Sequence, residues 1–193
     1  MRILRNAEYD YASNDVSETN GYTKWYDWNI VKKHIRIINI VLTIAFVIVA
    51  FSYRQLLRDM VDIPTLIFII IGGIIFWLGV ITPIHEILHL VPLSKGVLDN
   101  KCVITVRHGT VSAIYNGYTN LYQQLIGLIL PCAVFLVLLG LAAIFTTGVA
   151  KIIFLYLLIL SFFGSYTDIY MFFYSIKHIG KNDIIFGLYK KEN

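Results

Sequence analysis

The sequence predicts an all-α integral membrane protein with about four transmembrane helices and one short β-hairpin. Of its 193 residues, 58% are hydrophobic and only 15% are charged, and the mean hydropathy is +0.70, values that exclude an ordinary soluble domain. Four apolar stretches are long enough to cross a bilayer. Two runs rich in β-branched residues flank a His-Gly pair between the second and third stretch, which predicts the hairpin.

The four predicted spans define one membrane domain with a tail at each end. The spans cover residues 37–53, 63–93, 121–145 and 152–176. We expect the membrane domain at 29–180, a polar N-terminal tail at 1–28 and a cytoplasmic C-terminal tail at 181–193. Because the first apolar run starts only at Ile37, after a polar stretch, we interpret the first helix as a retained anchor and not as a cleaved signal peptide.

The distribution of basic residues predicts the orientation. With an even number of spans both termini lie on one side, which thirteen of the sixteen basic residues flank; only Arg54, Arg58 and Lys151 face the other. The positive-inside rule therefore predicts a multi-pass protein of the cell membrane with both termini, and a hairpin at about 101–116, in the cytoplasm. We interpret the net charge of +4 as serving to orient the chain in the membrane, and we expect the lipid bilayer, and no nucleic acid, as a partner.

A metal-binding motif lies near the end of the second span. The five residues are His85-Glu86-Ile87-Leu88-His89. Histidines four residues apart lie on one helical face, as two imidazole ligands of a tetrahedral metal require. Glu86 is then placed to polarise a water on the metal. Because an acid and two histidines at membrane depth are costly unless paired or metal-bound, the burial favours a metal site over purely structural polar residues.

A catalytic zinc usually has three protein ligands and one open position, so the motif needs a third ligand. Within the predicted spans, Asp168 is the only acid outside the motif. At about 1.5 Å per residue, the motif histidines lie about 9 to 15 Å, and Asp168 about 13 Å, from the cytoplasmic ends of their helices. We therefore predict Asp168 as the third ligand of one zinc ion per chain, with Gly164 and Ser165 allowing a close helix approach. His108 is a minor alternative if its hairpin folds back.

Three features near the motif each have two interpretations. Pro83 falls two residues before His85 and interrupts the helix, which either opens a route for water or is an ordinary kink. The hairpin either binds an extended substrate along its edge or simply connects two spans. Asn120, Gln123 and Gln124, at the start of the third span, are candidates for binding substrate or an oxyanion, although such residues more often make interhelical or interfacial contacts.

The motif and the distant membrane aspartate resemble the intramembrane zinc metalloproteases of the site-2 protease type, and more closely the bacterial putative zincin peptidase family. The resemblance covers roughly residues 60–189, and the stretch 181–187, Lys-Asn-Asp-Ile-Ile-Phe-Gly, is similar to the ending of the zincin peptidases. The site-2 protease aspartate lies in an Asn-Pro-Asp-Gly setting, which residues 164–169 lack. The likeness to the zincin peptidases is therefore the closer one.

This resemblance implies a zinc metallopeptidase that cleaves membrane-anchored peptides or proteins near the cytoplasmic face. The family pattern maps onto His85, His89 and Asp168 as zinc ligands and onto Glu86 as general base for the attacking water. The alternative is a non-catalytic metal-binding membrane component or a partner of a peptide-export system. A metal transporter is less well supported, because the sequence has one polar cluster toward one face of the bilayer and no relay across it.

Overall fold

Long apolar helices make up most of the chain in this computed structural model, which describes residues 2–5, 21–25, 27–52, 61–93, 101–107, 110–187 and 189–191. The helices are α1 (Trp28–Ser52), α2 (Ile63–Phe76), α3 (Thr82–Leu90), α4 (Leu121–Phe145) and α5 (Gly148–His178). A π-helical turn at Trp77–Ile81 joins α2 to α3, so that they form one continuous helix.

Three helices of the described chain are long and apolar enough to cross a membrane. They are Ile63–Leu90, Leu121–Phe145 and Gly148–His178, and they correspond to the second, third and fourth predicted spans. The first predicted span, residues 37–53, falls in α1 except for residue 53, which lies outside the described residues. Because α1 is not among the three, the first predicted span stays a prediction, as does the side of the membrane on which the termini lie.

Short strands form two three-stranded sheets. The strands are β1 (Arg2–Arg5), β2 (Thr23–Lys24), β3 (Cys102–Arg107), β4 (Thr110–Tyr115), β5 (Ile184–Phe186) and β6 (Tyr189–Lys191). The sheet orders are β1-β3-β4 and β2-β6-β5. β3 and β4 pair antiparallel, as the predicted hairpin requires, and its tip at residues 108–109 lies outside the described residues, as does the alternative ligand His108. The sequence did not predict the other four strands, because two to four residues are too few to show an alternating pattern.

Pro83 explains the π-helical turn that precedes the motif. A proline has no N–H for the carbonyl four residues earlier, and its ring collides with that carbonyl. The helix widens over Trp77–Ile81, directly before this position, and single π turns are a common form of interruption in α-helices. The predicted disturbance is therefore present as a π turn, whereas a water route beside the motif stays a prediction.

The chain divides into two units. The first comprises Met1–Asp27, Thr82–Pro131 and Asp168–Asn193, and the second comprises Trp28–Ile81 and Cys132–Thr167. Within the second unit, a Cβ atom on Gly164 would lie 2.6 Å from the ring of Trp77. Only glycine permits this approach, so the close helix contact predicted at Gly164 is present, with Trp77 as the neighbour.

Within the first unit, the segments predicted as tails are held against each other and against the start of α4. Strand β2 pairs with β6. Trp25 is buried, its Nε1–H donates to the carbonyl of Gly187 at 3.2 Å, and its ring lies 6.2 Å from that of Tyr174. Thr119, two residues before α4, exchanges backbone hydrogen bonds of 2.9 and 2.8 Å with Ile185. These contacts fix the ends of α4 and α5 that belong to the unit containing the motif.

Candidate metal centre

Three potential metal ligands meet within the first unit. The Nε2 atom of His85 lies 2.9 Å from Oδ2 of Asp168, and Nε2 of His89 lies 3.5 Å from the same oxygen. One donor atom from each residue falls in a group whose members are all within 4.8 Å of one another. The fold therefore places Asp168 beside two histidines from which it is separated by about eighty residues of sequence.

Helix α3 presents the two imidazoles on one face. Their ring centroids are 4.8 Å apart and their planes are inclined at 79°, an edge-on arrangement that directs both Nε2 atoms to one carboxylate oxygen. The side chains of His89 and Asp168 are 16% and 17% exposed, and that of His85 is 11% exposed. The three donors are therefore largely shielded from solvent while they remain close enough to share one ion.

A backbone carbonyl of α4 fixes the ring of His89. The Nδ1 atom of His89 lies 2.7 Å from the carbonyl oxygen of Gly127. Because a carbonyl only accepts hydrogen bonds, Nδ1 carries the proton, and the lone pair of the neutral ring is on Nε2, the atom that faces Asp168. Metal-bound histidines usually donate their second ring N–H to such an acceptor, which sets the tautomer and the ring orientation.

Gly127 also allows the two helices to approach. A Cβ atom at this position would lie 3.2 Å from the carbonyl oxygen of His89, and 3.5 Å from side-chain carbons of Leu93 and Pro92. Any side chain larger than hydrogen would push α4 away from the end of α3. Gly127 therefore serves the contact between α3 and α4 in two ways: it has no side chain to separate the helices, and its carbonyl accepts a hydrogen bond from His89.

Glu86 is held by the hairpin. The backbone N–H of Ala113 in β4 donates to Oε2 of Glu86 at 2.7 Å. In the described part of the chain, Oε1 of the same carboxylate accepts no hydrogen bond. One oxygen thus fixes the orientation of the carboxylate, and the other can exchange a proton.

Apolar packing attaches the hairpin to the motif helix. Leu90 of α3 is 1% exposed and forms a buried cluster with Cys102 and Ile104 of β3. Partly buried side chains surround this cluster: Ile87, Val111, Ala113 and Tyr115. The hairpin is therefore part of the wall of the candidate centre. Cys102 is a free cysteine in this cluster, away from the group of possible ligands.

The register of the hairpin directs the N–H of Ala113 toward Glu86. In an antiparallel pair, residues alternate between positions whose N–H and C=O groups point to the partner strand and positions whose groups point away. Asn116 donates to Lys101, which makes that pair a hydrogen-bonded one, so Ala113, opposite Ile104, points its N–H away from β3. β4 is the outer strand of the order β1-β3-β4. Its outward N–H groups thus lie at the edge where Ala113 meets Glu86.

The polar residues at the start of α4 form a helix cap. The side-chain oxygen of Asn120 accepts from the N–H of Gln123 at 2.9 Å, and Oε1 of Gln123 accepts from the N–H of Asn120 at 3.2 Å. This reciprocal pair is a capping box. The N–H of Gln124 donates to the carbonyl of Asn120 as part of the helix. Asn120 and Gln123 therefore have a structural role, and binding of substrate by any of these three residues stays a prediction.

Sequence reasoning did not identify the two backbone groups that hold the motif, the carbonyl of Gly127 and the N–H of Ala113. Backbone groups are the same in every residue, so a motif search cannot distinguish them. A signal for Gly127 did exist, because Pro131 follows it by four residues and cannot donate to its carbonyl.

The donor set fits zinc. Two imidazole nitrogens and one carboxylate oxygen are ligands that zinc accepts, and three protein ligands with one open position are typical of catalytic zinc. Two observations support this fit. The His89 ring has its lone pair on Nε2, the atom that faces Asp168, and the Nε2 atoms of both histidines approach the same carboxylate oxygen of Asp168. Within the described residues no second group of three such donors occurs.

A comparison with protein families agrees with this donor set. A family model described as "Putative zincin peptidase" matches residues 78–179, just over half of the chain. The matched region contains the motif, the hairpin, α4 and Asp168. No curated protein and no solved structure matches the chain.

Proposed function

The chain belongs to the putative zincin peptidase family, and from this premise we propose that it is a zinc metallopeptidase that works within the membrane. The observation that carries the proposal is the meeting of His85, His89 and Asp168 within 4.8 Å, next to a glutamate whose Oε1 accepts no hydrogen bond from the residues that the structure describes. Two of the three helices able to span a membrane contain all four residues, which supports cleavage of membrane-anchored peptides or proteins, as in proteases of the site-2 type.

In this proposal, His85 and His89 bind zinc through Nε2, and Asp168 binds it through its carboxylate. When bound there, zinc supplies a Lewis acid for the scissile carbonyl and lowers the pKa of the attacking water. The carbonyl of Gly127 keeps His89 in the tautomer that has its lone pair on Nε2. The chain thus provides three ligands, of which His89 has its orientation fixed before the metal arrives.

Glu86 carries the proton. Its Oε1 atom accepts a proton as the water oxygen bonds to the carbonyl carbon, and then transfers that proton to the leaving amine nitrogen as the C–N bond breaks. Ala113 holds Oε2 throughout, so the carboxylate keeps its direction while Oε1 gains and loses the proton. Water and the peptide are consumed, and a carboxylic acid and an amine are formed.

The outer edge of β4 is the proposed binding place for an extended substrate. Peptide bonds in a membrane helix are shielded by their own hydrogen bonds, so a substrate segment must unwind before it is cut. Strand addition would then satisfy the unwound backbone, and the outward N–H of Val111, two residues along β4 from the N–H that Glu86 occupies, is placed for that role. We propose a cytoplasmic position for this edge from the distribution of basic residues, as set out above.

The non-catalytic alternative predicts a different ligand set. A structural zinc site is usually closed by four protein ligands. In the described chain, the group has three, and the nearby Glu86 is bonded to Ala113 instead. This arrangement supports an open coordination position and hence catalysis.

Two variants test the proposal. Glu86→Gln should abolish cleavage of a membrane-anchored reporter peptide in proteoliposomes while zinc content stays near one ion per chain, because the ligands remain. Asp168→Ala should lower zinc content itself, measured by elemental analysis of the purified protein. Cleavage by Glu86→Gln at the wild-type rate would refute the role of the base, and unchanged zinc content in Asp168→Ala would refute the ligand. Zinc in the wild type without hydrolysis of any reporter would favour the non-catalytic alternative.

A further inference from the structure

The carbonyl of Gly127 has an unusual position in α4. In an α-helix, each carbonyl accepts the N–H of the residue four positions later. For Gly127 that residue is Pro131, which lies inside α4 and has no N–H. The helix therefore does not engage this carbonyl with its usual partner.

The carbonyl that Pro131 leaves without its helical donor is the one that His89 uses. The Nδ1···O distance of 2.7 Å is short for an N–H···O bond. Pro131 is fully buried in the same unit as His89 and Gly127, so the interruption is enclosed in protein and not exposed to lipid. A freed carbonyl in such surroundings must find another donor, and the imidazole supplies one.

We propose that Pro131 is a positioning residue for the metal centre, because it frees the Gly127 carbonyl to orient His89. Pro131 touches neither the metal ligands' donor atoms nor a substrate; it acts through Gly127. Gly127 and Pro131 then have complementary roles. The glycine permits α4 to approach α3, and the proline leaves the Gly127 carbonyl available to accept a hydrogen bond from His89. The inference rests on the zinc site of the proposed function.

The decisive variant is Pro131→Ala. Alanine restores an N–H at position 131, which competes with His89 for the Gly127 carbonyl and draws it toward the helix axis. Alanine is also favoured in a helix, so the variant should fold. We expect its zinc affinity, measured by competition with a chelating dye in detergent, to be about 3- to 10-fold weaker, since loss of an outer-shell partner costs about 10- to 100-fold and here the contact is weakened.

A second measurement determines the tautomer of His89 and requires neither metal nor catalysis. The ¹⁵N chemical shifts of the His89 ring in metal-free protein at alkaline pH should show the proton on Nδ1 in the wild type. In Pro131→Ala a mixture of the two tautomers is expected. Pro64→Ala is the matched control: Pro64 lies in the first turn of α2, where the missing N–H has no helical partner to lose, so neither affinity nor tautomer should change.

The outcomes separate the two proposals. Weaker zinc binding and a mixed tautomer in Pro131→Ala, with an unchanged Pro64→Ala, support the positioning role. A Pro131→Ala variant with wild-type affinity and wild-type ring shifts overturns it, even if the protein hydrolyses peptides. If wild type binds no zinc, the proposed function fails, whereas the tautomer measurement still decides the role of Pro131.

Discussion

Removing the Glu86 carboxylate should release the amide of Ala113, and this effect can be read without any substrate. Ala113 N–H donates to Oε2 at 2.7 Å, and the register points it away from β3, so the hairpin ladder offers it no second acceptor. A hydrogen bond to a charged acceptor contributes about 1.5 to 3 kcal/mol. Each 1.4 kcal/mol is about a factor of ten, so Glu86→Ala should accelerate hydrogen exchange at Ala113 by about 10- to 100-fold.

The assay is residue-resolved amide exchange, followed by NMR on the purified protein in detergent. Glu86→Gln is the matched control, because its side-chain carbonyl can still accept the N–H and should retain most of the protection. The amide of Ser112, which the register points toward β3, should exchange at the same rate in all three proteins. Equal exchange rates at Ala113 in wild type and Glu86→Ala would show that the strand does not hold the carboxylate. The proposal that Oε2 is held by Ala113 while Oε1 exchanges the proton would then be wrong.

Two further predictions concern α4. Gly127→Ala should weaken zinc binding by about 3- to 10-fold, because its methyl group would lie 3.2 Å from the carbonyl oxygen of His89. The control is Gly140→Ala on the same helix, whose methyl group meets nothing within 4 Å. This variant should bind zinc as the wild type does in the same dye competition. Asn120→Ala should destabilise the protein by about 1 kcal/mol through loss of the cap, and Asn120→Ser, which can still cap, should recover both thermal stability and activity; recovery of stability alone would indicate that Asn120 contacts substrate.

Side-chain chemistry in the sequence was enough to predict the members of the candidate centre. The spacing of His85 and His89 places both on one helical face, and matching depths selected Asp168; the structure brings the three together. The role of Asn120 and Gln123 was also readable, because an Asn followed three residues later by Gln before an apolar run is the signature of a capping box. The interpretation of these residues as a substrate site did not take this capping signature into account.

The parts that were not predicted depend on backbone groups and on very short elements. The register of β3 with β4 determines which backbone N–H reaches Glu86, and the residue types in the two strands do not indicate that register. β5 and β6 have three residues each and β2 has two, which is too few to show an alternating pattern, and the pairing of β2 with β6 joins parts of the chain that are distant in sequence. The first predicted span and the orientation of the chain stay predictions from hydropathy and charge.

The pairing of β1 with β3 has a practical consequence for engineering this protein. Arg2–Arg5 run parallel to residues 103–106 and cover the edge of the sheet opposite β4. An uncovered edge strand is a template for pairing with other chains. Deletion of residues 2–5 would therefore replace the four-residue edge strand β1 by the six-residue β3, and because a longer exposed edge pairs more readily with other chains, truncated material should self-associate in detergent, as light scattering would show. Protein prepared for biochemical work should retain these four residues and carry affinity tags elsewhere.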